Sequence, residues 1–397
     1  MTSRTTPETL WAVIGAGHGG QALAAYLALA GEEVRLYNRT PDRLDGIRRS
    51  GGIHLEGALT GFGAPAMVTS NLAEALPGAT VVMVVVPASA HRELARKMAP
   101  WLEAGQAVIL NPGRTLGSAE FSHELRWAGG PPDVLVAETD TFVFASRWIE
   151  SGRSRVSRVK KRVRLAALPA TRVGEVLRKV RKAFPQLVPA TNIIETGICN
   201  LGSVFHPAPT LLNAGWIESQ HPFDHYHQGI TPSVARALEA LDAERLAIAQ
   251  AYRVKALSAK RWLSSVYGSK GRTLHGAIQS TSAYVGLKAP PSLEHRYLFE
   301  DVPASLVPLT ELARVAGHRA RVMESLVTLA SAITGVDWVE RGRTLESVGL
   351  ADMGVVEILE YVNSGLKRTS RWPARRRFRV PDGDYAEADA AISLEGT

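Results

Sequence analysis

The chain has 397 residues, 45% of them hydrophobic and 21% charged, with a net charge of +8; this is the profile of a globular protein with core enough for two domains. A single cysteine, Cys199, excludes an internal disulfide and any cysteine-built zinc cage, and fits a reducing, cytoplasmic compartment. The N-terminus has no basic-then-apolar signal pattern, and no fully apolar run, Val81–Val86 included, approaches a membrane span, so no membrane partner is expected.

Taken in chain order, "TLWAVIG" predicts a strand that runs into a Gly-rich turn, and "QALAAYLALAG" a helix closed by Gly31. "EEVRLYN" is a second strand, and "TPDRLDGIRRSG" a short helix with Thr40 as N-cap and Pro41 in its first turn. "TVVMVVVP" is the β-branched run of a strand buried on both faces. "SAHRELARKMAPWL" predicts a helix, "QAVILNPG" and "DVLVAETDT" strands, "SRVKKRVRLAALP" a further strand and "TRVGEVLRKVRKAFP" a helix. Such alternation predicts an α/β Rossmann domain, a doubly wound parallel sheet, over residues 1–188.

Beyond Thr191 the β-branched runs thin out and helical spacing takes over. "TPSVARALEALDAERLAIAQAY" starts at Thr231 as N-cap with Pro232 in the first turn, and "SLVPLTELARVAG" and "RVMESLVTLASAITG" are two more helices ended by glycine. An all-α C-terminal domain is therefore expected over 189–362, followed by a basic-then-acidic, loosely ordered tail over 363–397. The helical domain is expected to serve as a dimer surface or as a lid, so a homodimer is one expected assembly.

Positive charge gathers in Arg147–Leu165, Arg178–Lys182 and Lys367–Arg379. Such runs can neutralise phosphates, but no aromatic-interleaved or helix-turn-helix pattern accompanies them. A solvated strand face, a surface helix and a basic tail are expected instead, with no nucleic acid as partner.

"VIGAGHGG" places Gly15-x-Gly17-x-x-Gly20 between a strand and a helix, the arrangement that brings a pyrophosphate onto a helix N-terminus. Cofactor contacts are expected from Gly15, Gly17, His18, Gly19 and Gly20, from Asn38, Arg39, Thr40 and Arg43 past the second strand, and from Pro87. Where an NAD site usually carries Asp or Glu, this chain has Asn38 and then Arg39, which suits a 2′-phosphate; NADP(H) is expected in preference to NAD(H).

His206 stands before Pro207 in an apolar run, behind Glu195, Asn200 and Ser203. A lone histidine of this kind is often a packed core residue, but the polar groups before it suggest a wet cleft, and imidazole suits proton transfer near neutral pH. Some ninety residues on, "LEHRYLFEDVP" clusters Arg296, Glu300 and Asp301, an anion clamp and a carboxylate able to orient an imidazole.

The glycine loop, "VPASAH", "NPG", "ETDTFVFASR", "NLGSVFHPAPTLLNAGWIE", "TPSV" with "LDAER", and "RYLFEDVP" occur in that order, and over residues 10–360 the chain resembles the opine dehydrogenase family. The resemblance implies a catalytic dyad of His206 and Asp301, substrate contacts from Arg296, Asn200, Thr141 and Tyr226, and reduction by NAD(P)H of the imine formed between an α-keto acid and an amino acid or amine. Gln228 and Phe144 depart from the family pattern, which often has glutamate and tyrosine there, and both are expected near the substrate pocket. His221, His225 and His227 are closely spaced but lack a metal-site pattern, so no metal is expected. One alternative is a β-hydroxyacid or ketopantoate-type reductase using Lys255 or Lys260; another is a nucleotide-sensing regulator that binds nucleic acid.

Overall fold

The computed structural model describes residues 9–366. Its strands are β1 (Leu10–Ile14), β2 (Glu33–Tyr37), β3 (Ile53–Gly57), β4 (Gly61–Gly63), β5 (Met67–Thr69), β6 (Val81–Val84), β7 (Ala107–Leu110), β8 (Leu135–Thr139), β9 (Phe144–Glu150), β10 (Arg153–Val159), β11 (Val163–Leu168) and β12 (Leu187–Pro189). Eight of them form one sheet in the order β12-β11-β8-β7-β6-β1-β2-β5. Trp11 and Val13 of β1 enter the core on one face, Ala12 and Ile14 the core on the other, so the strand is apolar throughout.

The sheet is parallel from β5 to β8, but β11 runs antiparallel to β8. The expected doubly wound parallel sheet is present, with β11 reversed, because the chain turns back through β9 and β10 after β8 rather than crossing by a helix. β9 and β10 join β3 and β4 in a second sheet of order β4-β3-β10-β9. Here the basic run folds as a half-solvated strand: Ser154 and Val156 are buried, while exposed Arg153 and Arg155 both pair with Glu56. Arg178 and Lys179 lie on a surface helix, Val173–Val180; Lys367–Arg379 lie outside the described residues.

Two local readings shift. The helix after β2 begins at Asp42, with Pro41 rather than Thr40 in the N-cap position. After Asp301 the chain first winds as a π-helix, Val302–Leu306, where Pro303 removes an amide, and only then as an α-helix, Val307–Val315. From Ile193 to Ser364 the described elements are helices, packed around the 20-residue helix Pro232–Ala251, whose N-cap Thr231 accepts from the Val234 amide. The last helix, Val355–Ser364, returns to the sheet domain, where Tyr361 receives a hydrogen bond from Arg126. Among the described residues no helix is long and apolar enough to cross a membrane.

Candidate active site

The chain leaves β1 for β2 and β5 on one side and returns to β6, β7 and β8 on the other, so the sheet reverses between β1 and β6. Ligands bind outside the carboxyl ends of strands at such a point. Four loops meet there: Gly15–Gly20 after β1, Val85–Ala90 after β6, Asn111–Leu116 after β7 and Asp140–Val143 after β8.

The first loop fits a dinucleotide. Gly15 has φ +111°, and a Cβ on Gly20 would lie 1.7 Å from the Gly15 carbonyl, so helix Gly20–Leu29 packs directly on the turn. A Cβ on Gly17 would meet nothing within 4 Å, which leaves open space in front of the helix N-terminus. A Cβ on Gly19 would press on Phe142, tying this loop to the one after β8. His18 accepts the Trp148 amide at Nδ1 (2.7 Å); burial, then Arg296, Arg147 and Arg43, push its pKa down and keep it neutral. Asn38 accepts from the Ala16 amide and donates to the Thr40 carbonyl, both at 3.0 Å, so it braces the loop from within. Arg39 is exposed at the end of β2, Arg43 lies over Trp148, and Pro87 opens the turn Ala88–Ala90 after β6.

Proline decides where His206 sits. Pro207 starts the helix Pro207–Leu212, and the helix Gly202–Phe205 ends just before, which leaves His206 at the break with φ −106° and ψ −64°. Its Nδ1 lies 2.8 Å from Asp301 Oδ2, and its ring stacks on Tyr297 with centroids 4.0 Å apart and planes 9° apart. The two sequence blocks, 95 residues apart, thus meet as an imidazole–carboxylate pair.

Asp301 is fully buried, and its countercharge comes from Arg114, a residue the sequence reading missed. Arg114 Nη1 stands 2.8 Å from Asp301 Oδ1, a charge contact, and hydrogen-bonds Asn200 Oδ1 at 3.2 Å; Nη2 pairs with Glu300 at 3.2 Å. Burial opposes the guanidinium charge, but Asp301 and Glu300 outweigh it and raise its pKa. Glu300 is held at about 2, burial being overridden by Arg114 and Arg296. Glycine at 202 is required by this packing, since a Cβ there would lie 2.5 Å from Arg114 Nη1. Burial lowers the His206 pKa, Asp301 raises it, and Arg114 and Arg296 lower it further, with a net shift downward.

The remaining expected residues divide. Arg296 is exposed at the head of helix Arg296–Phe299, with Nε 3.7 Å from Glu300, and it bears electrostatically on His18, so it faces the cleft. Thr141 is half-buried and accepts from Lys160 Nζ. Asn200 braces the site from within: it accepts from Arg114 and the Gly202 amide and donates to the Asp140 carbonyl at 2.9 Å. Tyr226 is buried, stacks on Tyr284 at 4.0 Å and shares a hydrogen bond with Tyr297; it supports the ring under His206.

Both departures from the family pattern have partners within the fold. Phe144 packs edge-on against Tyr26 and Phe142 in the sheet domain, and Gln228 turns back to the Asp224 amide. His221, His225 and His227 go to separate partners, Ser219 Oγ, the Phe205 carbonyl and the Ile278 carbonyl. Among the described residues no group of three or more His, Cys, Asp or Glu side chains is placed to hold a metal. Lys260 donates to the Arg272 carbonyl and Lys255 is exposed in a loop, so neither touches the His206–Asp301 pair.

Comparison with known proteins agrees with this geometry. Residues 189–334 match the model for the NAD/NADP octopine/nopaline dehydrogenase α-helical domain, and residues 11–116 that for the NAD-dependent glycerol-3-phosphate dehydrogenase N-terminus. The chain is 39% identical to the opine dehydrogenase of Arthrobacter sp. (strain 1C), covering 86% of this chain and 96% of that protein. An octopine dehydrogenase solved with NADH and L-arginine superposes with a TM-score of 0.76 at 22% identity, covering 92% of this chain and all of that one. A yersinopine dehydrogenase with NADP+ bound gives 0.69 at 15% identity, over 86% of this chain and 97% of that one. A dinucleotide turn, a helical domain matched over residues 189–334 and a relative 39% identical over most of the chain converge: the protein belongs to the opine dehydrogenase family, NAD(P)-dependent oxidoreductases that act on CH–NH bonds.

Proposed function

We propose that His206 is the acid–base residue of the reaction of this family, the reductive condensation of an α-keto acid with the amino group of an amino acid or amine, through an imine, to a secondary amine. The observation that carries the assignment is the Nδ1–Asp301 contact of 2.8 Å within a buried ionic centre. With Nδ1 donating to the carboxylate, Nε2 is the nitrogen left to exchange a proton with substrate. In the reductive direction it gives that proton to the carbonyl oxygen leaving as water; in reverse it takes one back. Asp301 stabilises the charged ring and Tyr297 fixes its plane. Arg296, next to Tyr297, holds the keto-acid carboxylate. A bound nicotinamide supplies or accepts the hydride.

NADP(H) is the preferred cofactor in this reading. β2 leads into Asn38 and Arg39, so the strand end itself carries no carboxylate to accept from the ribose hydroxyls or repel a 2′-phosphate, and the guanidinium groups of Arg39 and Arg43 suit one. Arg39→Ala should raise the KM for NADPH far more than that for NADH; equal changes would sink the preference.

The reaction is tested by following NADPH oxidation with a matrix of keto acids and amines. Turnover should require the amine, and His206→Ala should lower kcat by about two to four orders of magnitude. Oxidation with a keto acid alone would instead favour a hydroxyacid reductase, and near-normal turnover of the variant would return His206 to a packing role.

A further inference from the structure

In the basic run "RVKKRVR" three successive cations leave β10, and they part company: Lys161 and Arg162 are exposed, whereas Lys160 is turned inward and half-buried. Its amide donates to the Val143 carbonyl at 3.0 Å, and its Nζ donates to Thr141 Oγ1. Both partners belong to the loop after β8. That loop is wedged between the two halves of the site: Phe142 fills the space beside Gly19 of the dinucleotide turn, and the Asp140 carbonyl accepts from Asn200, which in turn holds Arg114. Lys160 therefore hangs at the junction where cofactor turn and catalytic pair meet.

No carboxylate among the described residues pairs with this ammonium. Asp140 is the opposite charge felt there, but its oxygens are engaged by the Arg164 amide and guanidinium. A half-buried cation with one hydroxyl acceptor is poorly compensated. Burial first, with Asp140 opposing and Arg114, Arg158 and Arg296 adding to it, holds the amine near 8. A visiting anion would relieve all of this at once.

The reaction supplies one. When the amine donor is an amino acid, the product carries two carboxylates, one from each reactant. Arg296 lies beside the ring under His206, where the keto acid's carbonyl must react, and so takes the keto-acid carboxylate; the other needs a second cation. Resting on the reaction proposed above, we infer that Lys160 binds the α-carboxylate of the amino-acid partner and thereby makes the enzyme prefer amino acids to amines that lack it.

The test uses the full chain with NADPH and one keto acid, and compares L-leucine with isoamylamine and L-phenylalanine with phenethylamine. The wild type should favour the amino acid of each pair in kcat/KM. Lys160→Met should cut that ratio by about tenfold to a hundredfold through the amino-acid KM, and Lys160→Arg should keep most of it. A ratio unchanged in Lys160→Met overturns the assignment, as does an equal loss on both members of a pair, which would mean that the lysine only positions Thr141. A raised KM for NADPH with the ratio intact overturns it too, in favour of a cofactor contact. A wild type with no amine-dependent turnover sinks the reaction and this assignment together; one with turnover and an intact ratio sinks the lysine alone.

Discussion

An imidazole gripped at one nitrogen by a buried carboxylate titrates under opposing influences, and in His206 each has a named source. Burial favours the neutral ring, Asp301 favours the charged one, and Arg114 and Arg296 side with burial. The net effect places its pKa below the ordinary imidazole value, so the ring is neutral at pH 7. In the role proposed for it, the ring takes a proton in secondary-amine oxidation only when neutral, so kcat/KM in this direction should fall as pH drops through the lowered pKa. Asp301→Asn removes the one influence that raises it. The acid limb of the profile should then move to still lower pH, while kcat falls because the tautomer is no longer fixed. A limb that stays in place would assign the titration to another group.

At the scale of the element, the turn after β1 separates binding from packing. The Gly20 Cα sits against the Gly15 carbonyl, whereas Gly17 faces open space. Gly20→Ala should force helix Gly20–Leu29 off the sheet, costing about 1–3 kcal/mol of stability and also weakening the cofactor. Gly17→Ala should leave the melting temperature close to wild type and raise the KM for NADPH, because its Cβ would take space meant for the pyrophosphate. Thermal melts beside cofactor titrations check both, and a Gly17→Ala enzyme with unchanged cofactor affinity would count against dinucleotide binding at this turn. The βαβ unit was legible because glycine spacing and apolar runs are local signals. The second sheet was not: β3 and β4 are short, and β10 pairs in parallel with β3 from far along the chain, a contact no window of sequence contains.

Across the whole molecule, the two halves are joined by buried polar groups as well as by apolar packing. Glu138 of β8 is fully buried; it accepts from the Ser118 amide at 2.7 Å and meets Thr196 of helix Ile193–Ile198 at 2.6 Å. Burial raises its pKa to about 7, with the bonds to Thr196 and Ser118 pulling the other way. The folded chain therefore keeps a proton that the unfolded chain releases from about pH 4.5 upward. That contribution is complete below the unfolded value and is lost as pH rises through 7, for roughly 3 kcal/mol in all. Glu138→Gln, which mimics the protonated acid, should flatten the decline of stability between about pH 5 and 8 and leave the variant more stable than wild type at the upper end. Denaturant melts across that range decide it; parallel curves would mean that Glu138 is ionised throughout. In the sequence Glu138 is one more acid at a strand end, since the segments that cover it, around Ser118 and Thr196, come from elsewhere in the chain. The pairing of His206 with Asp301 was legible because both lie in marked blocks, whereas the internal partners of Asn200 and Tyr226 come from distant segments that no local pattern links.

Arg114 shows how far that interdependence goes. It follows β7 in the dinucleotide half, in a left-handed conformation with φ 62° that nothing in its neighbours announces, yet its charge is spent on Glu300 and Asp301 of the other half. The half that carries the His206–Asp301 pair therefore does not own its own neutrality. An engineer who grafts in a foreign nucleotide half to change the cofactor would import a new fingerprint loop, and with it whatever residue stands at this position. Unless that residue is an arginine bent the same way, the graft would strand two acids in the interior and unseat the histidine without touching it. The nucleotide half and the proposed acid–base pair are in this sense inherited together, through a single guanidinium.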